Sequence, residues 1–151
     1  MRRSFAALAL GLAVLPGLAS AGDAPRLTPA DPGPVVELPA DAPTVVNGVD
    51  AACTGIGQTR NDPRWSDFAV RIEVSDHENA YLADAVISVA DARGRPVLSV
   101  SCDSPWVLLD LAPGRYVVRA EIPDTNLRPR SATIVAPVRG QIRVVLQFPD
   151  A

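Results

Sequence analysis

From residue 68 onward the chain alternates apolar and polar positions in short runs. In "FAVRIEV", Phe68, Val70, Ile72 and Val74 fall on one side while Arg71 and Glu73 fall on the other, which is the period of a half-buried strand. Ala85, Ile87 and Val89 make the next inward set, followed by Leu98, Val100 and Cys102, and then by Val107, Leu109 and Leu111. "GRYVVRAEI" turns Tyr116, Val118, Ala120 and Ile122 inward and leaves Arg119 and Glu121 outward. A weaker run holds Ile134, and "QIRVVLQF" closes the pattern with Ile142, Val144, Leu146 and Phe148. Turn signals lie between the runs, at "DARGR" (91–95), "DSP" (103–105), "APG" (112–114), "PDTN" (123–126) and "VRG" (138–140). Short strands spaced about 8–12 residues apart, with no long amphipathic helix to cover a single sheet, predict an all-β fold. The expected architecture is an antiparallel seven-stranded β-sandwich over residues 53–151.

Within "YLADAVISVADARGR" the aspartates read as hairpin punctuation. Asp84 and Asp91 stand at opposite ends of one strand pattern, whereas a calcium loop needs oxygen ligands at close, regular spacing. Gly94 supplies the positive φ of a tight turn, and Asp91 can bond the turn backbone.

The chain before residue 68 has a different character. "CTGIGQTRNDPRWSDF" contains Asp62 followed by Pro63, an N-cap acceptor and a proline at the first helical position, which predict a helical turn ending near Asp67. Gly55 and Gly57 mark a turn or tight crossing, since no Lys-Ser/Thr pair follows them as a phosphate loop requires. Residues 22–50 carry six prolines, five acids and one arginine, so 22–52 is expected to be an acidic arm or linker. The alternative is a strand-like arm docked through Val35, Val36, Val45 and Val46. Residues 1–21 pair Arg2 and Arg3 with an apolar run from Phe5 to Leu15 and end in Ala19-Ser20-Ala21, the pattern of a secretory signal peptide cleaved near Ala21. That predicts a periplasmic or secreted chain, and no stretch reaches the roughly 20 apolar residues of a membrane span.

Charge and chemistry narrow the function. Without Arg2 and Arg3 the chain has 12 arginines against 17 acids, a net charge of about −5, which disfavours nucleic acid and anionic membrane as partners. Cys53 and Cys102 are the full cysteine inventory. In an oxidising compartment they read as a disulfide, the alternative being a buried free Cys102. They form neither a C-x-x-C redox pair nor a four-ligand zinc set. His77, the sole histidine, lies in the polar loop "SDHEN" without a nucleophile elbow nearby, so no catalytic residue, metal or cofactor is assigned. Trp65 and Trp106, with Arg60 and Arg64, are the expected partner or ligand contacts. Trp106 is out of phase with Val107, Leu109 and Leu111, which places it on the outer face or at the start of a strand.

"YLADAVISVADARGRPVL" followed by "DSPWVLLDLAPGRYVVRAEI" resembles the carboxypeptidase regulatory-like domains of the transthyretin (prealbumin-like) β-sandwich group. The resemblance rests on an "A-x-V" strand, an Asp-x-x-Gly hairpin and Leu111-x-Pro113-Gly114-x-Tyr116. The chain is more similar still to small bacterial exported proteins that combine "GIG", "YLADA" and "PW…L-x-PG-x-Y", and the match runs from Gly55 to Phe148. Many regulatory-like domains carry a glycine turn and an aromatic where this chain has Ser104-Pro105-Trp106. The resemblance implies a prealbumin-like scaffold or interaction module rather than a catalyst. The several histidines and terminal motif of transthyretin-like hydrolases are missing. The expected function is therefore a non-enzymatic module contacting an envelope protein. The alternative is a small-ligand or carbohydrate module using Trp and Arg, and a hydrolase is the least supported class.

Overall fold

The computed structural model describes residues 33–151. The predicted signal segment 1–21, with its cleavage site, and the first part of the arm, 22–32, lie outside the described residues.

Ten strands follow one another: β1 (Val36–Glu37), β2 (Thr44–Val46), β3 (Val49–Thr54), β4 (Val70–Asp76), β5 (Ala85–Asp91), β6 (Pro96–Cys102), β7 (Trp106–Leu109), β8 (Gly114–Glu121), β9 (Arg130–Ala136) and β10 (Ile142–Phe148). They form two five-stranded sheets, ordered β1-β6-β5-β8-β9 and β10-β4-β7-β3-β2. The predicted inward residues meet between these sheets as one core, with Ile72, Ile87, Leu98, Val100, Leu109, Val118 and Phe148 all buried; Phe68 is the exception, since it precedes β4, escapes the strand's alternation and packs on the outer face with Trp65.

The all-β sandwich expectation holds, but seven antiparallel strands do not describe it. Two pairs are parallel: β1 beside β6, and β10 beside β4 over the full Ile142–Phe148 register. Period-two alternation says which face a residue takes and nothing about the direction of the strand beside it.

The three additional strands come from the expected arm, β3 running two residues past its end at 52. Pro34, Pro39 and Pro43 sit before, after and between the short strands rather than inside them, so they delimit pairing without blocking it. Leu38, at 2% exposure, anchors the segment, with Val46 also buried; Val35, Val36 and Val45 are exposed. The docked alternative thus describes residues 36–52 better than a free tether does, though mainly through a leucine it did not name. Asn47 and Gly48, at φ 50 and 80, turn β2 into β3 as a two-residue hairpin, and Asn-Gly between apolar residues is a strong local signal for that turn.

Cys53 on β3 and Cys102 on β6 form a disulfide between the two sheets. The arm crosses from one sheet to the other at the same place. Leu38 N–H donates to Ser101 O at 3.0 Å, and Asp41 N–H donates to Cys53 O at 2.8 Å.

Candidate functional site

The predicted helical turn is a 3-10 turn, Pro63–Asp67, and Asp62 caps it by accepting a hydrogen bond from Arg64 N–H. It lays Trp65 and Phe68 over the outer face of the second sheet, against Ala52 and Leu108. Trp65 is only 4% exposed, and its indole N–H donates to Thr59 O at 2.7 Å. Arg64 stacks on the Trp65 ring at 4.2 Å, pairs with Asp62 and donates to Asp41 O. Arg60 is exposed on the preceding turn. Arg64 and Trp65 are therefore in direct contact, but with the indole as a packed cover.

Trp106 opens β7 and is half-buried on that same outer face. Arg71 lies over its ring at 4.6 Å and Tyr81 meets it edge-on at 6.2 Å. Gly55 passes directly beneath, at φ +113, where an added Cβ would come within 2.8 Å of Trp106 Cγ. Of the turn or tight crossing expected from "GIG", Gly55 makes the crossing: the backbone's close approach to this indole, which only glycine permits.

Beside Trp106 lies a charge cluster that the alternation did not reveal. Glu73 points outward from β4 as expected, yet is 1% exposed. Arg143, from the parallel neighbour β10, grips its carboxylate with Nε at 2.8 Å and Nη2 at 2.6 Å. Arg71 Nε lies 2.9 Å from Glu73 Oε1 as an ion pair whose N–H is not aimed at the oxygen. Tyr81 OH donates to Glu73 Oε2 at 3.3 Å. The hydrogen bonds to Glu73, and then its negative charge, raise Arg143 above its ordinary value. A buried carboxylate needs such partners. The signal for them was split across two segments 70 residues apart.

The Asp91 hairpin forms as expected. Gly94 has φ 76, and Asp91 Oδ1 accepts from Arg93 and Arg95 N–H while Arg95 Nε reaches Oδ2 at 2.8 Å. The side-chain bond from Arg95, aided by its backbone N–H, holds Asp91 below its ordinary value of 3.8. A carboxyl depressed on folding adds stability that is complete above the unfolded value and lost as pH falls through the folded one. Asp91→Asn is accordingly expected to lower the melting temperature at pH 7, with the gap to the parent shrinking below about pH 4 as the parent's carboxylate protonates. Melting curves across that range check this; a gap constant with pH would contradict it.

His77 is exposed, with Nδ1 2.8 Å from Ala151 O and Nε2 3.9 Å from Glu78. Among the described residues, no three His, Cys, Asp or Glu side chains are grouped to hold a metal ion. A cleft of about 630 Å³ at one end of the sandwich is lined by Asp67, Asp110, Tyr116 and Arg139; the Tyr116 hydroxyl is already bonded to Ala112 O.

The two sides of the sandwich end differently. On one side the edge strands β1 and β2 have only two and three residues, and very short edge strands are a common way of blunting an edge. On the other side both edge strands, β10 and β9, have seven residues, and β9 leaves four of them exposed against three for β10. β9 pairs with β8 in unbroken register, Arg130–Ala136 against Ala120–Gly114, and its far side has no strand partner among the described residues. Pro129 and Pro137 flank β9, and neither proline nor lysine lies within it. Thr133 and Val135 are exposed on its outer face, Val135 at 58%.

The fold and its cystine define an all-β sandwich with its two sheets covalently joined. No family model matches the chain, and no curated protein matches it in sequence. Among the described residues no helix is long and apolar enough to cross a membrane.

Proposed function

We propose that this protein is an exported, non-enzymatic interaction module of the cell envelope that receives a partner's extended segment along β9. The observation carrying this reading is the seven-residue edge of β9, the more exposed of two long edges, opposite edge strands of only two and three residues. Unpaired backbone groups on such an edge accept a further strand, and the main-chain bonds supply the affinity. The disulfide supports export, because buried cystines persist in oxidising compartments. The resemblance to carboxypeptidase regulatory-like domains agrees with a scaffold role. Stacking of sugar rings on Trp65 and Trp106 has less support, since Trp65 is buried and Trp106 already meets Arg71 and Tyr81. His77, held between Ala151 and Glu78, offers little to a hydrolase.

A photocrosslinking residue at Ser131 or Val135 is expected to capture one defined envelope protein in living cells. The same residue at Val45, on the blunted side, is expected to capture none. Equal capture from both sides, or none from β9, would refute the open-edge reading.

A further inference from the structure

The charge around β9 says what kind of strand it takes. The sequence is acidic overall, but unevenly so. Residues 22–111 hold 14 acids and six arginines, whereas 112–151 hold three acids and six arginines. That second segment supplies β8, β9 and β10, so the open side of an acidic protein is its basic side.

Ion pairing sharpens the asymmetry. Of the described arginines, Arg64, Arg71, Arg95, Arg119 and Arg143 are in ion pairs. Arg60, Arg93, Arg115, Arg128, Arg130 and Arg139 have none among the described residues. Four of these six frame the open edge. Arg130 is the first residue of β9 and Arg128 lies just before it; Arg139 lies just past its end, and Arg115 stands beside Val135 in the β8 register. All four are exposed. Acids lie at both ends: Glu121, paired with Arg119, and Asp124 lie by the start of β9, and Arg139 shares its cleft with Asp67 and Asp110. Between the two ends, the outer surface presents Thr133, Val117 and Val135.

Resting on the open-edge reading above, we infer that the partner segment is an acidic β-strand, with carboxylates at its ends and β-branched residues in its middle. Carboxylates would meet guanidinium groups in charge-assisted bonds, while Val and Thr would pack beside Thr133 and Val135 as cross-strand neighbours. A second copy of this chain is a poor source. Its own acidic stretch, 22–43, carries six prolines, each of which lacks a ladder donor.

The test uses the purified chain with its disulfide intact and three labelled peptides, followed by fluorescence anisotropy. The first is Glu-Glu-Val-Thr-Val-Thr-Val-Glu-Glu, with acids at both ends because a strand can add in either direction. The others replace the four Glu by Gln or by Lys. The Glu peptide is expected to bind about tenfold more tightly than the Gln peptide at low salt, with the advantage shrinking as salt screens the charges. The Lys peptide is expected to bind more weakly than either. Arg128→Glu with Arg130→Glu should reverse the order of the Glu and Lys peptides.

Proline is then placed at Ala132 and at Thr133 in separate chains, since neighbouring residues of a strand aim their N–H groups to opposite sides. The variant that leaves β8–β9 pairing intact, identified by its melting temperature, should still lose the Glu peptide. Equal binding of all three peptides, each abolished by that proline, would overturn the acidic preference and leave the open edge standing. No binding by any peptide would overturn both. A proline-interrupted Glu peptide binding as tightly as the first would show recognition of charge alone and overturn the strand. A dimer in sedimentation that dissociates with the β9 proline would place a second copy on the edge and overturn the acidic partner.

Discussion

Replacing Cys53 and Cys102 together by alanine is expected to lower the unfolding free energy by about 4 kcal/mol. Their sequence separation is 49, and in the chain-entropy model a loop of that size lies between the roughly 3 and 4.7 kcal/mol expected for loops of 15 and 100 residues. Both positions are buried, so the alanines also leave small voids in the core. Urea unfolding should show the midpoint falling by roughly 2 M, for a slope near 2 kcal/mol/M. The loss should not be uniform. The arm crosses between the sheets where Leu38 binds Ser101 and Asp41 binds Cys53, so amide exchange over 36–46 should accelerate more than exchange over 70–76. A stability change below about 1 kcal/mol would mean that the unfolded chain is already compact around this pair.

The second large effect is expected at Glu73. Arg71→Met with Arg143→Met leaves a carboxylate of 1% exposure with Tyr81 as its remaining side-chain partner. Removing the partners of a buried charge costs about 3–5 kcal/mol. The lower end applies here, because the Arg143 side chain is 55% exposed and water can approach from its position. Adding Glu73→Met to that pair should restore most of the loss, since a buried ion cluster and an apolar replacement of similar volume are often equally stable. The restoration should be incomplete by roughly 1 kcal/mol, as Trp106 still lacks the Arg71 guanidinium above its ring. Denaturant titration of the three chains measures each step. If the double-arginine variant were as stable as the parent, Glu73 would have to be reached by water once the arginines are gone.

Legibility followed how local each feature was. The Asp91–Gly94 turn and the Asp62–Pro63 start could be read because a few neighbouring residues decide them, through φ and through side-chain bonds to nearby N–H groups. The inward sets of β4 to β8 could be read because alternation is a property of one strand at a time. The arm was harder. Its proline and acid content resembles that of a linker, and the features that dock it, Leu38 and the Asn47–Gly48 turn, are single residues within that composition. Trp65 and Trp106 were recognisable as candidate contact residues, and Trp106 by its phase as an outer-face one. Composition does not say that Phe68 and Leu108 would bury the first, or that Arg71 and Tyr81 would meet the second.

The sequence by itself determined the all-β class, the side of each strand that enters the core, the two tight local turns and the pairing available to its only two cysteines. Steric preferences and the two-residue period act within a few positions, so the chain carries them wherever it folds. The tertiary structure decided the rest: the parallel placement of β1 and β10, the docking of the arm, the enclosure of Glu73 and the contrast between a blunted side and an open one. Those outcomes depend on which distant segments become neighbours. Arg143 protects Glu73 only because β10 lies beside β4, and β9 is open only because β10 joins the other sheet.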